Sequence, residues 1–204
     1  MIKNKLYKFL ASTLFILLSF NISAQLIDFA ALDTLPTYTL EEALKQNPLE
    51  VYKLNLKKQK LTELPKEIYQ FKNLQVLDAQ KNKLKTFPKR INEFTLLQEL
   101  NITANKIEIV TKELGSLVHL KKFRAGSNLI ISIPPEIKHL KTLEYIDLWG
   151  NNIGFLPLEI EALKDNLKEI DMRVIQMNKQ EHQKIKELLP NTKIRFSESC
   201  GCGF

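Results

Sequence analysis

Hydrophobic positions along the chain recur every 23 residues. With Val51 as position one, successive units begin at Val51, Leu74, Leu97, Leu120 and Leu143, and one extra residue leads to Leu167. Position four reads Leu54, Leu77, Leu100, Phe123, Ile146 and Ile170. Position six reads Leu56, Ala79, Ile102, Ala125, Leu148 and Met172. Positions eleven, fourteen, eighteen and twenty-one are apolar too, as in Leu84, Phe87, Ile91 and Phe94 of the second unit. Aligned apolar columns at a fixed period mark one supersecondary unit, repeated and stacked.

The short periods inside a unit predict its elements. Residues 76–80 alternate apolar and polar, the pattern of a half-buried strand. Asn82, Asn105, Asn128 and Asn151 follow at position nine, where the chain must leave the strand. A buried amide both donates and accepts, so stacked asparagines can satisfy the turns around them. Pro65, Pro88, Pro134 and Pro157 follow position fourteen and suit the first position of a short helical return. No unit can bury its apolar side alone, so the units must stack into a solenoid. Its ends need caps. Thr39-Leu40-Glu41-Glu42 has capping-box spacing and predicts a short helix over the open edge before Val51. Asn178 and Glu181 start a second helix, whose apolar face is Ile185, Leu188 and Leu189 and which stops at Pro190. Lys193-Ile194-Arg195-Phe196 can add a last strand.

The unit Leu74–Leu97 reads LxxLxAxxNxLxxFPxxIxxFxxL. It resembles the LPxxIxxL subclass of leucine-rich-repeat proteins, and the small secreted bacterial members most. The resemblance covers residues 39–196. Gln59 stands for Asn in the first unit, Thr111 for Pro in the third and Ile175 for Asn in the sixth. The resemblance implies an α/β fold: a leucine-rich-repeat solenoid with a parallel concave sheet, a short helical or irregular convex side and helical caps at both ends. It also implies binding of another protein on the strand face. The expected organisation is a signal peptide over 1–24, an N-terminal cap over 25–50, about six repeats over 51–177, a C-terminal cap over 178–196 and a Cys/Gly tail over 197–204.

The first 24 residues do not follow the repeat. Lys3, Lys5 and Lys8 precede an apolar run from Phe9 to Phe20 and then Ile22-Ser23-Ala24, the layout of a secretory signal peptide. The run is short for a membrane span; the alternative is an uncleaved anchor. Cleavage before Gln25 lowers the formal charge from +7 to +4. That small charge, with no concentrated basic stripe, argues against a nucleic-acid partner. Export to the periplasm, cell surface or medium is the expectation, with no membrane insertion after cleavage. Two cysteines rule out a disulfide-dense scaffold, and six glycines are poor material for phosphate-cradling loops.

Candidate chemistry follows from strand alternation: positions three, five and seven point away from the core. They place Glu99, Asn101, Arg124, Tyr145, Asp147, Trp149, Asp171 and Arg173 on one face. Trp149 is the only tryptophan of the chain, and Trp, Tyr and Arg are the residues enriched in interface hot spots. The plainer alternative is a solvated sheet face on which Trp149 shields the strands. Asp147 and Asp171, in adjacent rows, form a conceivable calcium site or acid/base pair, although Arg124 and Arg173 can neutralise them. His119, His139 and His182 have no paired nucleophile. Asn101-Ile102-Thr103 is a glycosylation sequon on the strand face. Cys200-Gly201-Cys202 is too sparse for zinc and too close for the usual redox spacing, leaving a tail disulfide, free thiols or an intermolecular bridge. The expectation is a non-enzymatic exported module without cofactor or metal, binding an unidentified protein. A surface adhesin or host-directed factor, and an enzyme using the tail cysteines or the Asp column, are the alternatives.

Overall fold

A computed structural model describes residues 25–197. The predicted signal segment and the residues Cys200 and Cys202 lie outside them. Among the described residues, eight strands form one parallel sheet in chain order. They are β1 (Tyr38–Thr39), β2 (Lys53–Asn55), β3 (Val76–Asp78), β4 (Glu99–Asn101), β5 (Lys122–Arg124), β6 (Tyr145–Asp147), β7 (Glu169–Met172) and β8 (Lys193–Phe196). The register follows the repeat: Leu54, Leu77, Leu100, Phe123, Ile146, Ile170 and Ile194 lie side by side. Strands of three residues cannot stand alone. They persist because position four is fully buried in one continuous core, where each large apolar side chain contributes about 1.5–3 kcal/mol. The core is mostly aliphatic, with Phe71, Phe87, Phe94 and Phe123 as its large buried rings.

The asparagine column closes the turn after each strand. Asn128 donates to the carbonyls of Ile102 (3.0 Å) and Ala125 (3.0 Å), one repeat apart, and its Oδ1 accepts from the Ile107 amide at 3.1 Å. Asn82, Asn105 and Asn151 repeat this pattern. At the departure in the first repeat Gln59 is exposed, and its backbone amide donates to Asn82 Oδ1 at 2.9 Å.

The convex returns are short 3-10 turns, and here the placement of proline differs from expectation. Pro65, Pro134 and Pro157 sit just before the first helical residue in an extended conformation, not inside the turn. Each carbonyl accepts the amide three residues on, from Ile68, Ile137 and Ile160. The 3-10 ring closes on that carbonyl, so the ring nitrogen is not what the turn needs. Thr111 does the same work, accepting from the Leu114 amide at 3.1 Å, which explains why the third repeat tolerates it.

Both ends are covered. Thr39 caps α1 (Leu40–Ala43) with a complete capping box. Asn178 caps α2 (Lys179–Leu188), whose Ile185 is buried, and His182 stacks on Phe196 of β8. The N-terminal cap does more than the helix predicted for it. β1 pairs with β2, and the segment before it forms a strap across the starts of several strands. The buried Gln75 and Gln98 hold the strap: the Ile27 amide donates to Gln75 Oε1 at 3.0 Å, and Gln98 Nε2 donates to the Ile27 carbonyl at 2.6 Å. Lys53 Nζ donates to the carbonyls of Leu32 and Leu35, and the Lys122 ammonium lies 4.7 Å from the Phe29 ring centre. Among the described residues no helix is long and apolar enough to cross a membrane.

Candidate functional site

The strand face is built by a second local device that recurs at position five. Asn55, Asp78, Asn101, Asp147 and Asp171 each accept, through Oδ1, the backbone amide two residues on, at 3.0–3.1 Å. A short acceptor at this position holds the chain as it leaves the strand. Among the repeat strands β2 to β7 only β5 departs, with Arg124 at position five and Gly126 at position seven. The recurrence of Asn and Asp in that column was visible in the sequence, but its local role was not.

The candidate contact residues do not share one environment. Trp149 is 41% exposed, whereas Asn101 and Asp171 are only 9% and 5% exposed. Asn101 is therefore a loop-holding residue more than a contact surface, and its sequon side chain is poorly placed for a glycan. Tyr145, Asp147, Arg124 and Glu99 are half-buried, and Arg173 is exposed. The strap covers the strand starts from β2 to β5, so the rows from β6 onward present the open part of the face.

The charges of the face pair unevenly. The Arg124 guanidinium bonds Glu99 and lies 5.7 Å from the Tyr145 ring centre. Arg173 grips Asp171, with Nε at 3.0 Å from Oδ1 and a terminal nitrogen 2.6 Å from Oδ2. Glu169 meets Arg195 at 2.6 Å and Lys193 at 3.3 Å. Asp78 accepts Gln80 Nε2 at 2.7 Å. Asp147 is different: its Oδ1 takes the Trp149 amide, and among the described residues no side chain pairs with it.

The titration of the two aspartates follows from this. Burial disfavours the Asp171 anion, but the hydrogen bonds from Arg173 outweigh it and hold the carboxyl below its usual range. Burial also disfavours the Asp147 anion. There the Trp149 amide and the through-space attraction of Arg124 and Arg173 are too little compensation and Asp171 adds repulsion, so the carboxyl sits above its usual range. Burial, then Asp147 and Asp171, raise the Tyr145 phenol. Gly126 leaves the space that the Asp147 carboxylate occupies: a Cβ there would lie 2.8 and 2.9 Å from its two oxygens.

No three His, Cys, Asp or Glu side chains gather as a metal cage among the described residues. Clefts lie along the convex turns and beside the starts of β5 to β7. One, on the flank and convex side of the first two repeats, is lined by Leu64, Tyr69, Pro88 and Arg90, where Arg90 stacks on Tyr69. It assembles no nucleophile with a base.

A model of the Leucine Rich Repeat family matches residues 142–163. No curated protein matches the chain. Among solved structures, a leucine-rich-repeat protein of Leptospira interrogans is 28% identical over 72% of this chain and 43% of its own, with a TM-score of 0.64. The leucine-rich-repeat ectodomain of the plant membrane receptor kinase GASSHO1/SCHENGEN3 from Arabidopsis thaliana, solved in complex with CASPARIAN STRIP INTEGRITY FACTOR 2, is 24% identical over 74% of this chain and 18% of its own, with a TM-score of 0.62. Internalin C2 of Listeria monocytogenes is 19% identical over 72% of this chain and 62% of its own, with a TM-score of 0.60. The chain thus spans less than two thirds of each of these relatives.

Proposed function

We propose that this chain, a leucine-rich-repeat protein, is a non-enzymatic exported module that binds another protein through its strand face. The observation that carries the reading is the sole tryptophan, half-exposed on that face beside Tyr145, Arg124 and Arg173. An exposed Trp in this company supplies a large apolar contact area with little conformational entropy to lose, which is the make-up of a hot spot. Trp149 and Tyr145 act as anchors, and Glu99, Arg124, Asp147 and Arg173 set specificity by charge. Asn101 and Asp171, being buried, act through the turn and through Arg173. Its fold is that of an ectodomain solved with a bound partner, which supports the assignment without naming a partner. Export rests on the leader-like residues 1–24, and recovery of a mature chain beginning at Gln25 by intact mass tests it.

A crosslinking pull-down with the mature protein supplies the partner, and two variants then test the face. Trp149→Ala is expected to weaken binding about thirtyfold, from about 2 kcal/mol, while leaving the thermal midpoint nearly unchanged. Lys138→Ala, an exposed residue of the convex turn Pro135–His139, should alter neither. If only the convex variant weakens binding, the strand face is not the interface. If Trp149→Ala unfolds the protein, the ring is structural.

A further inference from the structure

We propose that Asp147, framed by Tyr145 and Trp149, is the recognition point for a cationic side chain, a lysine or arginine of the protein partner. The inference deepens the strand-face reading and rests on it.

The argument starts from charge pairing. Glu99, Asp171 and Glu169 each have a cation from this chain. The two arginines closest to Asp147 in the face are committed elsewhere, Arg124 to Glu99 and Arg173 to Asp171. Asp147 has only the Trp149 amide on Oδ1, and Oδ2 meets no donor among the described residues. Arg124 and Arg173 act on Asp147 only through space, and a half-buried carboxylate with no direct ion pair among the described residues is electrostatically costly; a partner that brings a cation into contact and excludes water removes that cost.

The surroundings fit the same ligand. Tyr145 and Trp149 flank Asp147 at alternating positions, so all three point to one side of β6 and its exit. Aromatic faces attract ammonium and guanidinium groups, more strongly as the pair is desolvated. Gly126, one row before Trp149, makes room for the carboxylate to lie in this position, since a Cβ there would press on both oxygens. Position five is an Asx acceptor in both neighbours of β5, and its replacement by Arg124 sets a cation near Tyr145 that pairs with Glu99 instead of Asp147. The raised carboxyl of Asp147 agrees with a site whose counter-ion comes from outside.

Because Trp149 is the only tryptophan, its fluorescence reports this site alone. The probe is a capped peptide of alternating arginine and glycine, set against the same peptide with glutamate for arginine. The arginine peptide should shift Trp149 emission saturably, and the glutamate peptide should not. Asp147→Asn keeps an acceptor for the Trp149 amide and should weaken the arginine peptide about tenfold. Gly126→Ala, which displaces the carboxylate, should weaken it in the same direction. Asp78→Asn removes an equal charge from the same column and should change affinity less than twofold. Wild-type affinity in Asp147→Asn with Trp149 still responding overturns the cation site but leaves the strand face as the interface. Calorimetric binding without any Trp149 response overturns both. Equal losses in Asp147→Asn and Asp78→Asn reduce the effect to net charge, and preference for the glutamate peptide assigns recognition to Arg124 and Arg173; either result overturns the site. Absence of binding by the arginine peptide overturns it as well.

Discussion

Asn128 and Asp147 are both polar residues in a repeated column, yet their energetics have opposite signs. The Asn128 amide is buried and bonds the backbone of two neighbouring repeats. Asn128→Ala leaves those groups unpaired, and a loss of about 1–3 kcal/mol is expected in the urea midpoint. Asp147 instead holds its proton more tightly when folded than when unfolded, because burial raises its carboxyl. Such a group contributes stability at acidic pH, and that contribution is lost as the pH rises through its folded pKa. At neutral pH the charge therefore opposes folding. Asp147→Asn should raise the thermal midpoint at pH 7, and the advantage should vanish as the pH falls through the carboxylate range; a lower midpoint at pH 7 would show the charge to be stabilising. Val174 gives a third case. It sits at φ 56°, a left-handed conformation hostile to a β-branched side chain, where its counterpart one repeat earlier is Gly150 at φ 64°. Val174→Gly should stabilise the fold by roughly 0.5–1 kcal/mol, read from the denaturant midpoint.

At the scale of elements, strands and returns hold each other in place. The strands set a fixed spacing of about 4.8 Å between rows, and the convex 3-10 turns must fit a comparable spacing. Gly115, in the turn Lys112–Ser116, shows how close that fit is. A Cβ there would lie 2.6 Å from Glu136 Cβ and 2.7 Å from the Glu136 carbonyl oxygen, and backbone cannot move aside like a side-chain tip. Gly115→Ala is expected to lower stability by about 1–3 kcal/mol through overpacking, measured by chemical denaturation. An unchanged midpoint would mean that the two turns can separate freely. The columns themselves were legible in the sequence because period and burial are linked: a residue repeated every 23 positions meets its own copies in the next row. The exact place of proline was less legible, since sequence spacing does not distinguish an i→i+3 turn from the first turn of an α-helix.

For the whole molecule, the strap from Gln25 to Leu35 joins repeats that the solenoid alone connects only through neighbours. Leu32 is 1% exposed, and truncating a buried leucine typically costs about 2–5 kcal/mol. Leu32→Ala should lower stability at the near end of that range, because the strap is peripheral. Amide hydrogen exchange should quicken first around β2 to β5 and leave β6 to β8 protected. Uniform acceleration along the sheet would instead mean that the solenoid opens only as a unit.

The strap has no repeat to announce it. Its anchoring glutamines, Gln75 and Gln98, look in the sequence like any polar residue beside a strand, and only the folded chain brings residues 25–29 onto them. The same holds for the two aspartates of the candidate site. Sequence alone put Asp147 and Asp171 in one column on the outward side of adjacent strands, because strand alternation and the 23-residue period depend on nothing beyond the chain. Tertiary structure alone decided that Arg173 turns onto Asp171, that Arg124 turns onto Glu99, and that Asp147 is left without a direct ion pair among the described residues. A long side chain can reach several carboxylates at nearly equal energy, and which one it takes depends on burial and on neighbours from other repeats, which no local pattern encodes.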